Sequence, residues 1–151
     1  MVMWKRNKDT GGSKKRKTRT ERQKLKDKCW ELCSLYNRMK DADWRGYVAC
    51  VTCGVVKHYK QQQGGHFIPG RTNGILFEDQ GIHAQCYSCN MMKGGNPRKY
   101  DAYMKKRYGQ RVINKLDKLS ESTVQLSEDD LRKKIEEYKI KIESLGSFCE
   151  Q

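Results

Sequence analysis

The chain has 151 residues, with 32 Lys and Arg against 18 Asp and Glu and a formal net charge of +14, a length that suits one domain with tails around a modest hydrophobic core. With 36% hydrophobic and 33% charged residues and a mean hydropathy of −0.99, no window approaches the ~20 apolar residues of a membrane-spanning helix, which excludes a membrane-embedded protein. So positive a balance points to a polyanionic partner, and nucleic acid is the first candidate.

The opening Met1-Val2-Met3-Trp4-Lys5-Arg6 has charge but no apolar stretch behind it, so it does not read as a secretory signal and the chain is expected in the cytoplasm. Residues 1–20 hold eight Lys and Arg against one acid, half of the net charge. The Gly11-Gly12-Ser13 break and the absence of apolar periodicity make residues 1–19 an expected disordered basic arm. Its Lys14, Lys15, Arg16 and Lys17 would meet phosphates by charge.

From Thr20 to about Lys40, Leu25, Cys29, Leu32, Cys33, Tyr36 and Met39 recur at three- and four-residue steps, which predicts an N-terminal helix within residues 20–45. Cys29 and Cys33 fall on its apolar stripe and are expected as small core residues. Residues 46–119 change character. Val48-Ala49, Val55-Val56, His66-Phe67-Ile68 and Ile82-His83-Ala84 read as short strands between glycine-rich turns. Asn96-Pro97 reads as an N-cap and first helical residue, opening a helix with Tyr100, Tyr103, Met104 and Tyr108 that stops at Gly109. Another helix carries Val112, Ile113, Leu116 and Leu119.

Residues 120–151 reverse sign, with eight acids and five bases. Ser127 with Asp130 resembles a capping box, and Leu131, Ile135, Tyr138, Ile142 and Leu145 follow at helical steps. This acidic amphipathic helix is expected to pack on its own domain, with dimerisation as the other use of its stripe.

Cysteine usage carries the strongest signal. Without an export signal, seven cysteines are read as metal ligands before disulfides. Cys50-Val51-Thr52-Cys53 and Cys86-Tyr87-Ser88-Cys89 give two C-x2-C pairs that together complete the tetrahedral four-thiolate shell of a structural Zn2+. Four protein ligands leave no open position, so this ion staples and does not catalyse. Cys29, Cys33 and Cys149 are left over.

The candidates for reactive chemistry lie between and just after the pairs: His58, His66, Asn73, Glu78, Asp79, His83 and Asn90. The string Cys50-Val51-Thr52-Cys53-Gly54, Gly65-His66-Phe67-Ile68-Pro69-Gly70, His83-Ala84-Gln85-Cys86, Cys89-Asn90, Lys93-Gly94-Gly95-Asn96, Tyr100 and Tyr108-Gly109 resembles the NinG (Rap) recombination proteins of lambdoid phages. Cysteine pair, strand histidine and Cys-x2-Cys-Asn also resemble the HNH, or ββα-metal, endonucleases, especially the zinc-stapled phage endonuclease VII type. The resemblance covers about residues 48–119.

The resemblance implies an α+β fold, a small zinc-stapled ββα-metal core flanked by N- and C-terminal helices, in a protein of the bacterial host's cytoplasm. It also implies one-metal hydrolysis of phosphodiester bonds in branched intermediates such as Holliday junctions and D-loops. His66 would be the general base, with Asn90 holding a catalytic Mg2+ or Mn2+. Many HNH enzymes carry Asp ahead of the base histidine, where this chain has Gly65. His83 is the preferred substitute ligand, with Glu78 and Asp79 behind it. Arg71, Lys93, Arg98 and Lys99 would clamp phosphates, with Lys105, Lys106 and Arg107 extending the track. DNA is the expected partner, and cutting both strands of a junction symmetrically favours a homodimer. A zinc-stapled DNA-binding recombination accessory protein without catalysis is the alternative, with Gly65 marking a lost metal site.

Overall fold

The computed structural model describes residues 18–146, so Lys14, Lys15, Arg16, Lys17 and Cys149 lie outside the described residues. The fold mixes helices with two small sheets. Helix α1 (Glu21–Met39) starts where its sequence says it should, because Thr20 accepts from the Gln23 N–H at 3.3 Å and Gln23 Oε1 accepts from the Thr20 N–H at 3.1 Å. Strands β1 (Tyr47–Ala49) and β2 (Val56–His58) form one antiparallel pair, with Cys50–Cys53 in the turn between them. Strands β3 (Gln63–His66) and β4 (Ile82–Gln85) form the other. Helices α2 (Pro97–Arg107), α3 (Gln110–Glu121) and α4 (Glu128–Gly146) follow.

The first core joins the two ends of the described chain. Cys29 and Cys33 of α1, Leu76, Phe77 and Ile82 of the centre, and Leu131, Ile135 and Tyr138 of α4 bury one another. The apolar stripe of α4 is therefore spent on α1, and the expected capping box opens the helix, with the Asp130 N–H donating to Ser127 Oγ at 3.1 Å and the Ser127 N–H to Asp130 Oδ2 at 3.0 Å. Burial pushes the Cys33 thiol up to about 12 and Cys29 up to about 11, so both are inert core thiols. Asp79 ties these elements together. It accepts from Asn37 at 2.9 Å, Tyr138 at 2.8 Å and Lys141 at 3.0 Å. Burial alone would raise its carboxyl, and these donors outweigh that and hold it below the ordinary range. A second core of Tyr100, Met104, Ile113 and Leu116 joins α2 and α3 beneath Phe67 and Ile68.

Two local expectations are corrected. The strand expected at His66–Ile68 runs instead from Gln63 to His66. Its two glycines are strand residues because their surroundings leave no room for a side chain: a Cβ on Gly64 would press on Ser34 and one on Gly65 would collide with Gln85 Oε1. Asn96 precedes α2 as expected but has φ +50° and makes no side-chain cap; its Nδ2 points to Cys89 Sγ at 3.6 Å instead.

Candidate functional site

The four thiols of Cys50, Cys53, Cys86 and Cys89 converge, with every Sγ within 4.8 Å of the others. Cys53 and Cys86 stand 3.7 Å apart, close to the roughly 3.8 Å edge of a tetrahedron built on a Zn–S distance of about 2.3 Å. The chemistry of the donor set and its geometry fit Zn2+. Around the thiols, Thr52 Oγ1 lies 3.3 Å from Cys50 Sγ, the Cys89 N–H donates to Cys86 Sγ at 3.4 Å, and Asn96 reaches Cys89. Burial raises the Cys50 thiol, but the Thr52 hydroxyl and backbone N–H groups outweigh it and pull it below its ordinary value, while the three neighbouring thiols help push Cys53 up, so without a metal the four share their protons as a set.

Beside this cluster an open groove of about 590 Å³ runs between α1, β3 and the irregular turn Ser88–Met92. Both His66 and Asn90 line it. The zinc turn positions Asn90 directly after Cys89, and β3 brings His66 across to it. Asn90 Nδ2 donates to Gln63 Oε1 at 2.8 Å, which leaves Asn90 Oδ1 without a partner among the described residues.

His66 is held by two contacts. Its ring stacks on Trp30 with centroids 4.6 Å apart and planes 17° from parallel, and Arg71 sits 4.6 Å from the same indole. Its Nε2 lies 3.2 Å from the Leu76 carbonyl. A carbonyl only accepts, so Nε2 carries the proton and Nδ1 keeps a lone pair. Burial pushes this imidazole below its ordinary 6.5, the Leu76 carbonyl opposes that, and Arg71 adds to it. At neutral pH the ring is therefore an uncharged base.

His83 is not part of this site, which corrects its expected role as a metal ligand. It pairs with Gly65 across the sheet, while His66 pairs with Ile82, so the two imidazoles leave β3 and β4 on opposite faces. His83 is fully buried, and its Nδ1 and Nε2 are taken by the hydroxyls of Tyr100 at 3.0 Å and Tyr108 at 2.9 Å. Neither nitrogen is free for a metal. The lesser candidates are elsewhere too: Glu78 pairs with Lys115, Asp79 ties α1 to α4, Asn73 bonds Lys26 and the Val124 carbonyl, and His58 caps the turn at Lys60.

Of the expected phosphate contacts, Arg71 lines the groove and Lys93 adjoins its Gly94-Gly95 rim. Arg98 and Lys99 lie in the first turn of α2, which contains no acid. Cations there oppose the helix dipole at a cost of about 0.3–1 kcal/mol each. Lys105 and Arg107 are instead engaged with Asp101 and Asp41.

Sequence reasoning missed the α1 wall. Trp30, Ser34 and Arg38 line the groove at four-residue steps, a single helix face that the apolar stripe of the same helix overshadows. Arg38 also donates to the carbonyls of Tyr59 and Gln62 at 2.9 and 3.1 Å, fixing the entry to β3. No Asp or Glu lines the groove among the described residues. No helix is long and apolar enough to cross a membrane among those residues.

The family model described as Bacteriophage Lambda NinG protein matches residues 1–147. No curated protein and no solved structure matches the chain.

Proposed function

The chain belongs to the bacteriophage lambda NinG family, and on that premise we propose that it is a DNA endonuclease that hydrolyses phosphodiester bonds in branched recombination intermediates. The observation that carries this reading is the state of His66: neutral, proton-fixed through Leu76, clamped on Trp30, and sharing one basic groove with Asn90. A phosphate in the groove meets Arg38 and Arg71 with no carboxylate to repel it. His66 Nδ1 takes a proton from the water that attacks phosphorus. The imidazolium formed is stabilised by the Leu76 carbonyl, to which Nε2–H continues to donate.

Asn90 Oδ1 is a hard, unpaired oxygen and suits a hard cation, with water and DNA oxygens filling most of the shell. Asn90 would hold a Mg2+ or Mn2+ ion there, which would supply positive charge for the departing 3′ oxygen. The four-thiolate zinc holds Asn90 in place relative to β3.

The same carboxylate-free groove favours a second reading, a DNA-binding recombination accessory protein that grips phosphates without cutting them. Incubating a labelled four-way junction and its matched linear duplex with the zinc-loaded protein and Mg2+ or Mn2+ separates the two. Paired nicks near the branch point support the nuclease. Tight, salt-sensitive binding with intact strands under both ions supports the accessory role.

A further inference from the structure

We propose that the adjacent methionines Met91 and Met92 form an apolar wedge that enters the base stack at a DNA branch point and so selects branched DNA over continuous duplex; this rests on the branched-DNA reading above. Met91 lines the groove together with Asn90, Met92 follows it, and the two are 59% and 76% exposed. Apolar side chains exposed singly are ordinary, whereas contiguous ones mark a surface that meets a partner. The turn that carries this pair is fixed on both sides. Cys89 of the four-thiol cluster stands just before Asn90, the Lys93 N–H donates to the Ser88 carbonyl at 2.9 Å, and the Gly95 N–H donates to the carbonyls of Cys89 at 2.9 Å and Asn90 at 3.0 Å. A backbone pinned in this way holds the thioethers out and lowers the ordering cost of inserting them.

Charge identifies the occupant. No Asp or Glu occurs from residue 80 to residue 100, a stretch that contains Lys93, Arg98 and Lys99, and the groove itself is lined by Arg38 and Arg71. An apolar surface framed by cations alone suits a polyanion with an apolar interior, which is what stacked bases behind their phosphates present. Methionine is among the side chains that proteins push between base steps. Trp30, the other large apolar group of the groove, is already engaged by His66 and Arg71. Entering a continuous duplex breaks stacking between paired neighbours, whereas at a branch point the stack is already interrupted and insertion costs less. That difference is the source of selectivity. Met92 stands two residues beyond Asn90, at most about 7 Å along the backbone, or about two base steps of ~3.4 Å. A wedge at the branch point therefore brings a phosphate within about two nucleotides of it to Asn90.

The test is the fluorescence of 2-aminopurine at the branch point of a four-way junction, which rises when the base is unstacked, on adding the zinc-loaded full chain without Mg2+ or Mn2+. Affinities for the junction and its matched linear duplex are measured on the same samples. The parent is expected to raise the fluorescence about twofold or more. Met91→Ala combined with Met92→Ala is expected to abolish the rise and lower the ratio of junction to duplex affinity about tenfold, with zinc content unchanged and duplex affinity within about twofold. Leucine keeps an apolar wedge, so Met91→Leu combined with Met92→Leu should retain both the rise and most of the ratio. Ile140→Ala removes a similarly exposed apolar side chain from α4 and should change neither. A bound parent that leaves the fluorescence unchanged, or a double alanine variant that keeps the rise and the junction preference, overturns the wedge and leaves the endonuclease reading standing. Loss of self-association in the double alanine variant with junction preference intact also overturns it, and gives the pair to contact between two copies of the chain. A parent that binds neither junction nor duplex overturns the DNA reading on which the wedge rests.

Discussion

The imidazole of His66 lies flat on the indole of Trp30, centroids 4.6 Å apart, so a residue of the first helix fixes the ring of a residue on the third strand. The clamp sets ring orientation while the Leu76 carbonyl sets the tautomer. Trp30→Ala is expected to lower kcat at least tenfold with little change in KM, and Trp30→Phe to restore most of it. Single-turnover cleavage of a labelled junction measures both; equal losses in the two variants would point to a global defect instead of a lost clamp.

Acid should switch the activity off. A base must be unprotonated, and burial with Arg71 nearby holds His66 below 6.5. The rate therefore falls as pH drops through an apparent pKa under that value. Arg71→Leu removes a positive neighbour, so the limb should move to higher pH even as binding weakens. A pH–rate profile with its acid limb unmoved by Arg71→Leu contradicts the assigned base.

Stability should fall in acid for a different histidine. Burial, with Lys40 and Arg107 adding to it, pushes His83 down to about 3 from 6.5. Above pH 6.5 neither the folded nor the unfolded state protonates it, and its contribution is fully present. As pH falls from 6.5 toward 3 the unfolded chain takes up a proton that the fold refuses, so stability is lost by up to about 1.4 kcal/mol per pH unit. Denaturant melts between pH 7 and 4 should show this slope, and His83→Gln should flatten it.

Removing the zinc should unfold the centre before the ends. The thiols of Cys50, Cys53, Cys86 and Cys89 hold the β1–β2 turn to the turn after β4, whereas α1 and α4 share an apolar core of their own. With a strong chelator, proteolysis should open near residues 51–54 and 87–95 while much of the helical circular dichroism persists. Unchanged cleavage patterns at complete zinc loss would show that the metal is dispensable for the fold.

Gly65 and Gln85 should be energetically coupled. Gly65→Ala brings its Cβ onto Gln85 Oε1 and is expected to cost about 1–3 kcal/mol. Paired with Gln85→Ala the same change should cost much less, a non-additivity that a double-mutant cycle of denaturant melts measures.

The sequence announced what is local and periodic. The cysteine pairs, the α1 and α4 stripes and the Ser127 cap depend on spacings of two to four residues, and these match the structure. What was hidden depends on residues far apart in the chain. Gly64 and Gly65 read as a turn, yet they lie in β3 because Ser34 and Gln85 fill the space above them. His83 read as a ligand because strand periodicity does not reveal that two tyrosines, 17 and 25 residues on, take its nitrogens. Asp79 carries no sign in the sequence that Asn37, Tyr138 and Lys141 converge on it. The α1 wall of the groove was likewise invisible, since a helix stripe does not show what its other face will meet.

The central claim is that His66 performs the proton transfer in a protein that cuts branched DNA. The most direct measurement is single-turnover cleavage of a four-way junction by His66→Ala beside the parent, with zinc content and junction affinity measured on the same samples. The account predicts loss of cleavage by about 10²-fold or more, with one zinc per chain and near-parental binding. Cleavage at the parental rate by a folded, zinc-loaded His66→Ala protein, or no cleavage by the parent under either ion, would contradict it.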